Sequence, residues 1–100
     1  MGVQLISAKE ILMYMNEKVL LVDMRPKNEY ETFHLQGAIS VPYDDDYEEW
    51  EKNLPRSDAY LLYCDRGNAS LYAAKRMKET GVTIYAVAGG MEAIEKLVKR

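Results

Sequence analysis

The sequence is poorest in the groups that build metal sites and cross-links. Its 100 residues include one cysteine, Cys64, and one histidine, His34. A single cysteine excludes an internal disulfide and every C-x-x-C redox or zinc motif. One Cys with one His leaves too few ligands for a metal site of the usual type, and nothing in the sequence calls for a cofactor. Long apolar runs are also missing. None approaches the ~20 residues needed to span a bilayer, and the amino terminus lacks the charged start and apolar stretch of a secretory signal. Position 6 is Ile6, where a myristoylation signal requires Ser or Thr. A basic surplus is absent too. Thirteen Lys and Arg against 16 Asp and Glu give a net charge of −3, with no clustered basic stripe, which argues against a nucleic-acid footprint. Together these absences point to a reducing, cytoplasmic compartment, away from membranes and nucleic acid.

What is present is the material of a core. Hydrophobic residues make up 48% and charged residues 29%, the balance of a soluble globular chain. The length suffices for one compact domain and is too short for two, so residues 1–100 are read as a single domain. Ser7 followed by Glu10 forms a capping box, flanked by Ile6 and Ile11 as a hydrophobic staple. These open a helix from Ala8 to Glu17, with Ala8, Ile11, Leu12 and Met15 as its buried stripe. Val19-Leu20-Leu21-Val22, ending at Asp23, reads as a strand buried on both faces, which favours a parallel sheet.

Pro26 suits the first turn of a short helix running to Phe33. Gly37 breaks the chain before a short strand, Ala38 to Val41, closed by Pro42. Asp44 to Leu54 reads as helical, with Tyr47, Trp50 and Leu54 turned inward. Ala59 to Tyr63 is another strand and ends at Cys64. Beyond the polar stretch Asp65-Arg66-Gly67-Asn68, a helix extends from Ala69 to Thr80. Its close-packing face is Ser70, Ala73, Ala74 and Met77, and Gly81 is its stop. Val82 to Val87 is the last strand; Gly89-Gly90 then precede a helix to Val98. Strands alternating with helices imply an α/β sandwich around a parallel sheet.

In open parallel α/β folds, sites form beyond the carboxyl ends of the strands. Asp23 and Cys64 stand there. Cys64 leaves a buried strand, enters a Gly-containing loop, and the loop feeds directly into a helix. Backbone N–H groups of such a loop and of the helix start make a nest for anions, and the helix dipole adds partial positive charge. Both effects stabilise a thiolate, making Cys64 a nucleophile and a seat for the anionic sulfur of a persulfide. The blander alternative is a small buried hydrophobe, the usual fate of a free cysteine.

The motifs around this cysteine resemble those of the rhodanese family. Leu21-Val22-Asp23-Met24-Arg25, Glu29-Tyr30, His34-Leu35-Gln36-Gly37-Ala38-Ile39 and Pro42 are similar to its amino-terminal signature. Cys64-Asp65-Arg66-Gly67-Asn68-Ala69-Ser70 resembles its active-site loop, and Val87-Ala88-Gly89-Gly90-Met91 its closing motif. The matches follow the family's order across nearly the whole chain. The resemblance implies a three-layer α/β sandwich with a central five-stranded parallel sheet flanked by helices. It also implies a sulfurtransferase of the thiosulfate sulfurtransferase class. On that resemblance Cys64 would be the catalytic residue, and Asp65, Arg66, Gly67, Asn68, Ala69 and Ser70 would bind substrate. Cys64 would take a sulfane sulfur from thiosulfate or another persulfide and pass it to cyanide, a small thiol, or a partner protein in a sulfur relay. Two positions depart from the pattern. Ala69 stands where rhodaneses preferring thiosulfate often carry arginine, and Phe33 stands where glycine is usual, so the turn there is expected to differ.

Arg66 has two readings, substrate anion binder or solvated loop side chain. Asp65 is read as a loop hydrogen-bonder, Ser70 as satisfying backbone, and Asn68 as the helix cap. Arg25 is expected to pair with Glu29, although Asp23 is also within its reach. His34 reads as a satisfied, partly buried histidine. The acidic run Asp44-Asp45-Asp46 with Glu48, Glu49 and Glu51 reads as a solvated face, with docking of a basic partner protein as the alternative; near a pocket mouth it would repel small anions. Two rival functions are weighed. A phosphatase of related architecture needs C-x5-R, and Ser70 stands six after Cys64. A non-catalytic interaction module typically lacks the cysteine, which is present here.

Overall fold

The computed structural model describes residues 3–77 and 81–98. The apolar runs form the strands of one sheet: β1 (Val3–Ile6), β2 (Val19–Asp23), β3 (Ile39–Ser40), β4 (Ala59–Tyr63) and β5 (Thr83–Val87). Their spatial order is β1-β5-β4-β2-β3, and every neighbouring pair is parallel. The expected five-stranded parallel sheet is therefore present, with one member that the sequence reading did not place. β1 carries Gln4 and the exposed Leu5, so it lacks the continuous apolar run that marked its partners.

Side chains alternate along each strand and divide the core in two. Val22, Tyr60, Leu62, Ile84 and Ala86 face α3 (Tyr47–Glu51) and α4 (Asn68–Met77), which contribute Trp50, Ala73, Ala74 and Met77. Leu21, Leu61, Tyr63 and Val87 face the other side. There Ile11 comes from α1 (Ile11–Tyr14), Met91 and Ile94 from α5 (Gly90–Val98), and Tyr30 from α2 (Lys27–Thr32). Helices thus cover both faces, the arrangement a wholly parallel sheet requires.

Several boundaries differ from the sequence reading. The first helix is a single 3₁₀ turn, Ala8–Glu10, followed by α1, and it ends at Tyr14 rather than Glu17. The capping box forms: the Glu10 carboxylate accepts from the Ser7 N–H at 2.9 Å and from the Ser7 hydroxyl at 3.1 Å. Of the expected stripe only Ile11 is buried; Leu12 is 86% exposed because the short helix never turns it toward the sheet. α3 and β3 are each shorter than read. The Tyr47 side chain and residues 78–80, where the helix was extended, lie outside the described residues.

Phe33 also departs from expectation. Its backbone is extended, with φ −165° and ψ 138°, a conformation open to any residue. The absence of glycine therefore introduces no strain, and the phenyl ring sits half in solvent.

Candidate active site

Parallel topology brings the carboxyl ends of β2, β4 and β5 to one edge of the molecule. Cys64 follows β4 directly and is among the residues that line a cavity of about 1060 Å³. The residue is 4% exposed. Cys64 belongs to the apolar cluster beneath α3 and α4, and its sulfur is met there by N–H and hydroxyl groups. Its Sγ accepts from the backbone N–H of Gly67 at 3.2 Å and of Ser70 at 3.3 Å. The thiol donates to Ser70 Oγ at 3.4 Å, and that hydroxyl donates to the Gly67 carbonyl at 3.4 Å. The nest expected from strand, loop and helix is thus built by one loop glycine and the first turn of α4 (Asn68–Met77).

Gly67 is what allows the loop to fold beneath the sulfur. Its φ is +99°, and a Cβ there would meet the Gly89 nitrogen at 2.9 Å, so a side chain is opposed both by conformation and by space. Asn68 is the first helical residue rather than the cap: the Gly67 carbonyl already accepts from the Leu71 N–H at 3.2 Å.

The other loop residues are distributed by depth. Gly67 and Ser70 touch the sulfur from below. Asp65, Arg66, Asn68 and Ala69 line the cavity. Arg66 is 79% exposed and reaches toward Glu92 at 3.7 Å rather than toward Cys64, an arrangement in keeping with its solvated reading.

A second contact, not foreseen from the sequence, holds the loop from the far side. The first amides of α5 donate to it: Met91 N–H to the Cys64 carbonyl at 2.7 Å, and Glu92 N–H to the Asp65 carbonyl at 2.9 Å. Gly89 and Gly90 bring the helix that close. The Gly-Gly motif was the signal in the sequence, although it did not disclose which carbonyls it served.

Arg25 lines the cavity, with Asp23 buried behind it. Arg25 donates from Nη2 to Asp23 Oδ2 at 3.0 Å and from Nε to Asp23 Oδ1 at 3.2 Å. Asp23 is fully buried, and Glu29 is more distant at 3.9 Å. The expected Arg25–Glu29 pairing is therefore secondary. Burial disfavours the charged guanidinium, but the hydrogen bonds and charge of Asp23 outweigh this and hold it protonated. Arg25 also donates to the Phe33 and Glu29 carbonyls. It thereby ties the end of α2 to β2. Tyr63, buried beneath, accepts from the Leu35 N–H at 3.1 Å, and burial pushes its phenol up.

His34 stacks on Tyr30 with ring centroids 3.9 Å apart, and its Nδ1 lies 2.8 Å from the Tyr30 carbonyl. It is a satisfied, partly buried ring, as read. The acidic run at Asp44–Asp46 does not line the cavity. Other carboxylates do: Glu29, Asp65, Glu92 and Glu95.

A parallel sheet with a nested cysteine at its carboxyl edge defines a class, and the comparisons with known proteins agree. A family model described as the rhodanese-like domain matches residues 7–97. The chain belongs to the rhodanese-like domain family. It is 32% identical to the thiosulfate sulfurtransferase PspE of Escherichia coli, over 73% of this chain and 71% of that protein. It is also 32% identical to the tRNA sulfurtransferase of Pyrobaculum aerophilum, over 71% of this chain but only 14% of that protein. The chain thus spans a small part of that longer relative. Among solved structures, a rhodanese-related protein from Thermoplasma volcanium matches with a TM-score of 0.79 at 23% identity, covering 94% of this chain and 92% of that one. That likeness concerns fold. No helix among the described residues is long and apolar enough to cross a membrane.

Proposed function

We propose that the protein is a sulfurtransferase that carries a sulfane sulfur on Cys64 as a persulfide, within a single rhodanese-like domain. The observation carrying this reading is the pair of N–H groups, from Gly67 and Ser70, directed at the sulfur of a cysteine that lines a cavity. In the first half-reaction the Cys64 thiolate attacks the outer sulfur of a persulfide or of thiosulfate. A new S–S bond forms, the donor's own S–S bond breaks, and a thiol or sulfite leaves with the electron pair. In the second half-reaction an acceptor thiolate or cyanide attacks that outer sulfur, and the Cys64 thiolate is regenerated.

Negative charge stays on sulfur throughout, so the chemistry needs fixed donors more than an acid or a base. The two amides supply these, and the dipole of α4 adds to them. Once the thiol ionises, the Ser70 hydroxyl can rotate from the Gly67 carbonyl and donate to sulfur. Asp65, Arg66, Asn68 and Ala69 are the residues that meet the donor and acceptor. The names of two relatives, a thiosulfate sulfurtransferase and a tRNA sulfurtransferase, support sulfur transfer as the activity. A small-molecule acceptor and a relay partner protein both fit it. A single unpaired cysteine suits a reducing, cytoplasmic setting.

Incubation with thiosulfate, glutathione persulfide or polysulfide, followed by intact-mass measurement, tests the reading. The expected result is a gain of one sulfur that a reductant removes and that is absent in Cys64→Ser. If Cys64 stays unmodified with all three donors in folded protein, the chain is a non-catalytic member of the family.

A further inference from the structure

The cavity above Cys64 presents more acid than base. Glu29, Asp65, Glu92 and Glu95 line it, against Arg25 and Arg66. Neither guanidinium offers its charge to a ligand undivided. Arg25 is held by the buried Asp23 at 3.0 Å, and Arg66 lies 3.7 Å from Glu92. Glu29, from α2, and Asp65, from the loop after β4, both line this cavity. The Asp65 carboxyl beside it, then burial and the Asp65 charge, push the Glu29 carboxyl up from its ordinary range, against the opposing pull of Arg25. Like charges lining one cavity carry a cost that an arriving cation relieves.

We propose that Glu29 and Asp65 are charge-selecting residues of this cavity, favouring a positively charged sulfur carrier and turning away dianions such as thiosulfate. The sulfur-transfer part of this statement rests on the function proposed above; the charge selection does not. Ala69 adds no cation to hold a sulfonate. The cavity has room for an organic carrier, with Phe33, Pro42, Tyr43 and Met91 as apolar wall. The chemistry it fits is an ammonium or guanidinium close to a thiol or persulfide. A small aminothiol and a cysteine flanked by Lys or Arg in a peptide share that chemistry.

Because Cys64 is the only thiol in the chain, its reaction with charged methanethiosulfonates reads the rim directly. The thiolate attacks the sulfenyl sulfur, a disulfide forms, and methanesulfinate leaves with the electrons of the broken S–S bond. The rates are measured for the cationic trimethylammonioethyl reagent and for the anionic sulfonatoethyl reagent. In Glu29→Gln/Asp65→Asn the cation-to-anion rate ratio should fall on the order of 5- to 10-fold at low ionic strength, and the difference should shrink as salt screens it. Glu48→Gln/Glu51→Gln removes the same charge from exposed positions outside the cavity and should leave the ratio unchanged.

An equal ratio in the rim variant and the unaltered protein overturns the proposal. So does an equal fall in the control variant, which would make the effect one of net charge. No sulfur transfer enters this measurement, so it stands or fails apart from the persulfide experiment. Loading from cysteamine persulfide and from a persulfidated Lys-Cys-Lys peptide then separates the two sources. The carrier whose rate drops more in the rim variant is the one the rim holds. No drop with either, where the unaltered protein loads, counts against the proposal.

Discussion

Asp23 and Arg25 are two positions apart at the end of β2, and that spacing returns both side chains to one side of the chain. Sequence spacing alone made Arg25–Glu29 the safer expectation, because i,i+4 pairs are common on helices. Burial decides otherwise: Asp23 is fully enclosed, and Arg25 is 7% exposed. A paired buried charge is costly to leave alone. Asp23→Asn removes the counter-charge while leaving the guanidinium in place, with Glu29 still 3.9 Å away. The expected loss is about 3–5 kcal/mol of stability, read as a lowered urea midpoint. Loss within about 0.5 kcal/mol, the scale of an ordinary surface substitution, would mean that Glu29 or water replaces the partner. The cysteine itself was legible because its cues are local: an apolar strand before it, Gly67 after it, and a helix beyond. The placing of Glu29 and Asp65 at one cavity was not, since it joins residues far apart in sequence.

Among the elements, α5 depends most on a single backbone position. Gly90 has φ +55°, and a Cβ there would collide with the Cys64 carbonyl oxygen and approach the Asp65 carbonyl oxygen at 2.8 Å. Gly90→Ala should cost about 1–3 kcal/mol for its left-handed conformation alone. The collision adds to this and pushes α5 off the loop. Thermal unfolding should show the loss, and reaction of Cys64 with iodoacetamide should change in rate as its carbonyl loses the Met91 N–H. A variant with unaltered melting and unaltered rate would show that α5 does not brace the thiol. The strands β2, β4 and β5 were legible because residues covered on both faces must be apolar at nearly every position. β1 was not, since an edge strand covered on one side tolerates Gln4 and Leu5 in the open. Helix lengths were overestimated for a related reason. Periodicity identified Ile11 and Met15 as candidates for one face, and both do reach the core, but the helix closes at Tyr14 and Met15 packs from extended backbone.

At the scale of the molecule, the sheet separates two apolar layers that share almost no side chains. Leu61 and Leu62 are adjacent on β4, both fully buried, and point to opposite layers. Each truncation to alanine should cost about 2–5 kcal/mol. With no shared partners, the double variant should lose nearly the sum, within about 0.5 kcal/mol, in urea titrations of all four proteins. A substantial departure from additivity would show that one layer relaxes when the other is thinned. The count of five strands was implied by motif resemblance rather than by pattern, and their order by neither, because alternation reveals strands but not which neighbours they choose.

The clasp between the first turn of α5 and the carbonyls of Cys64 and Asp65 joins segments made at different times. During synthesis β4 and its thiol emerge well before Met91 and Glu92 exist. A nascent chain ending after β5 already holds all its strands, yet the peptide bonds that frame the reactive sulfur are still without the donors that fix them. The frame around the thiol is therefore completed only by α5, and loosening of that helix alone would undo it.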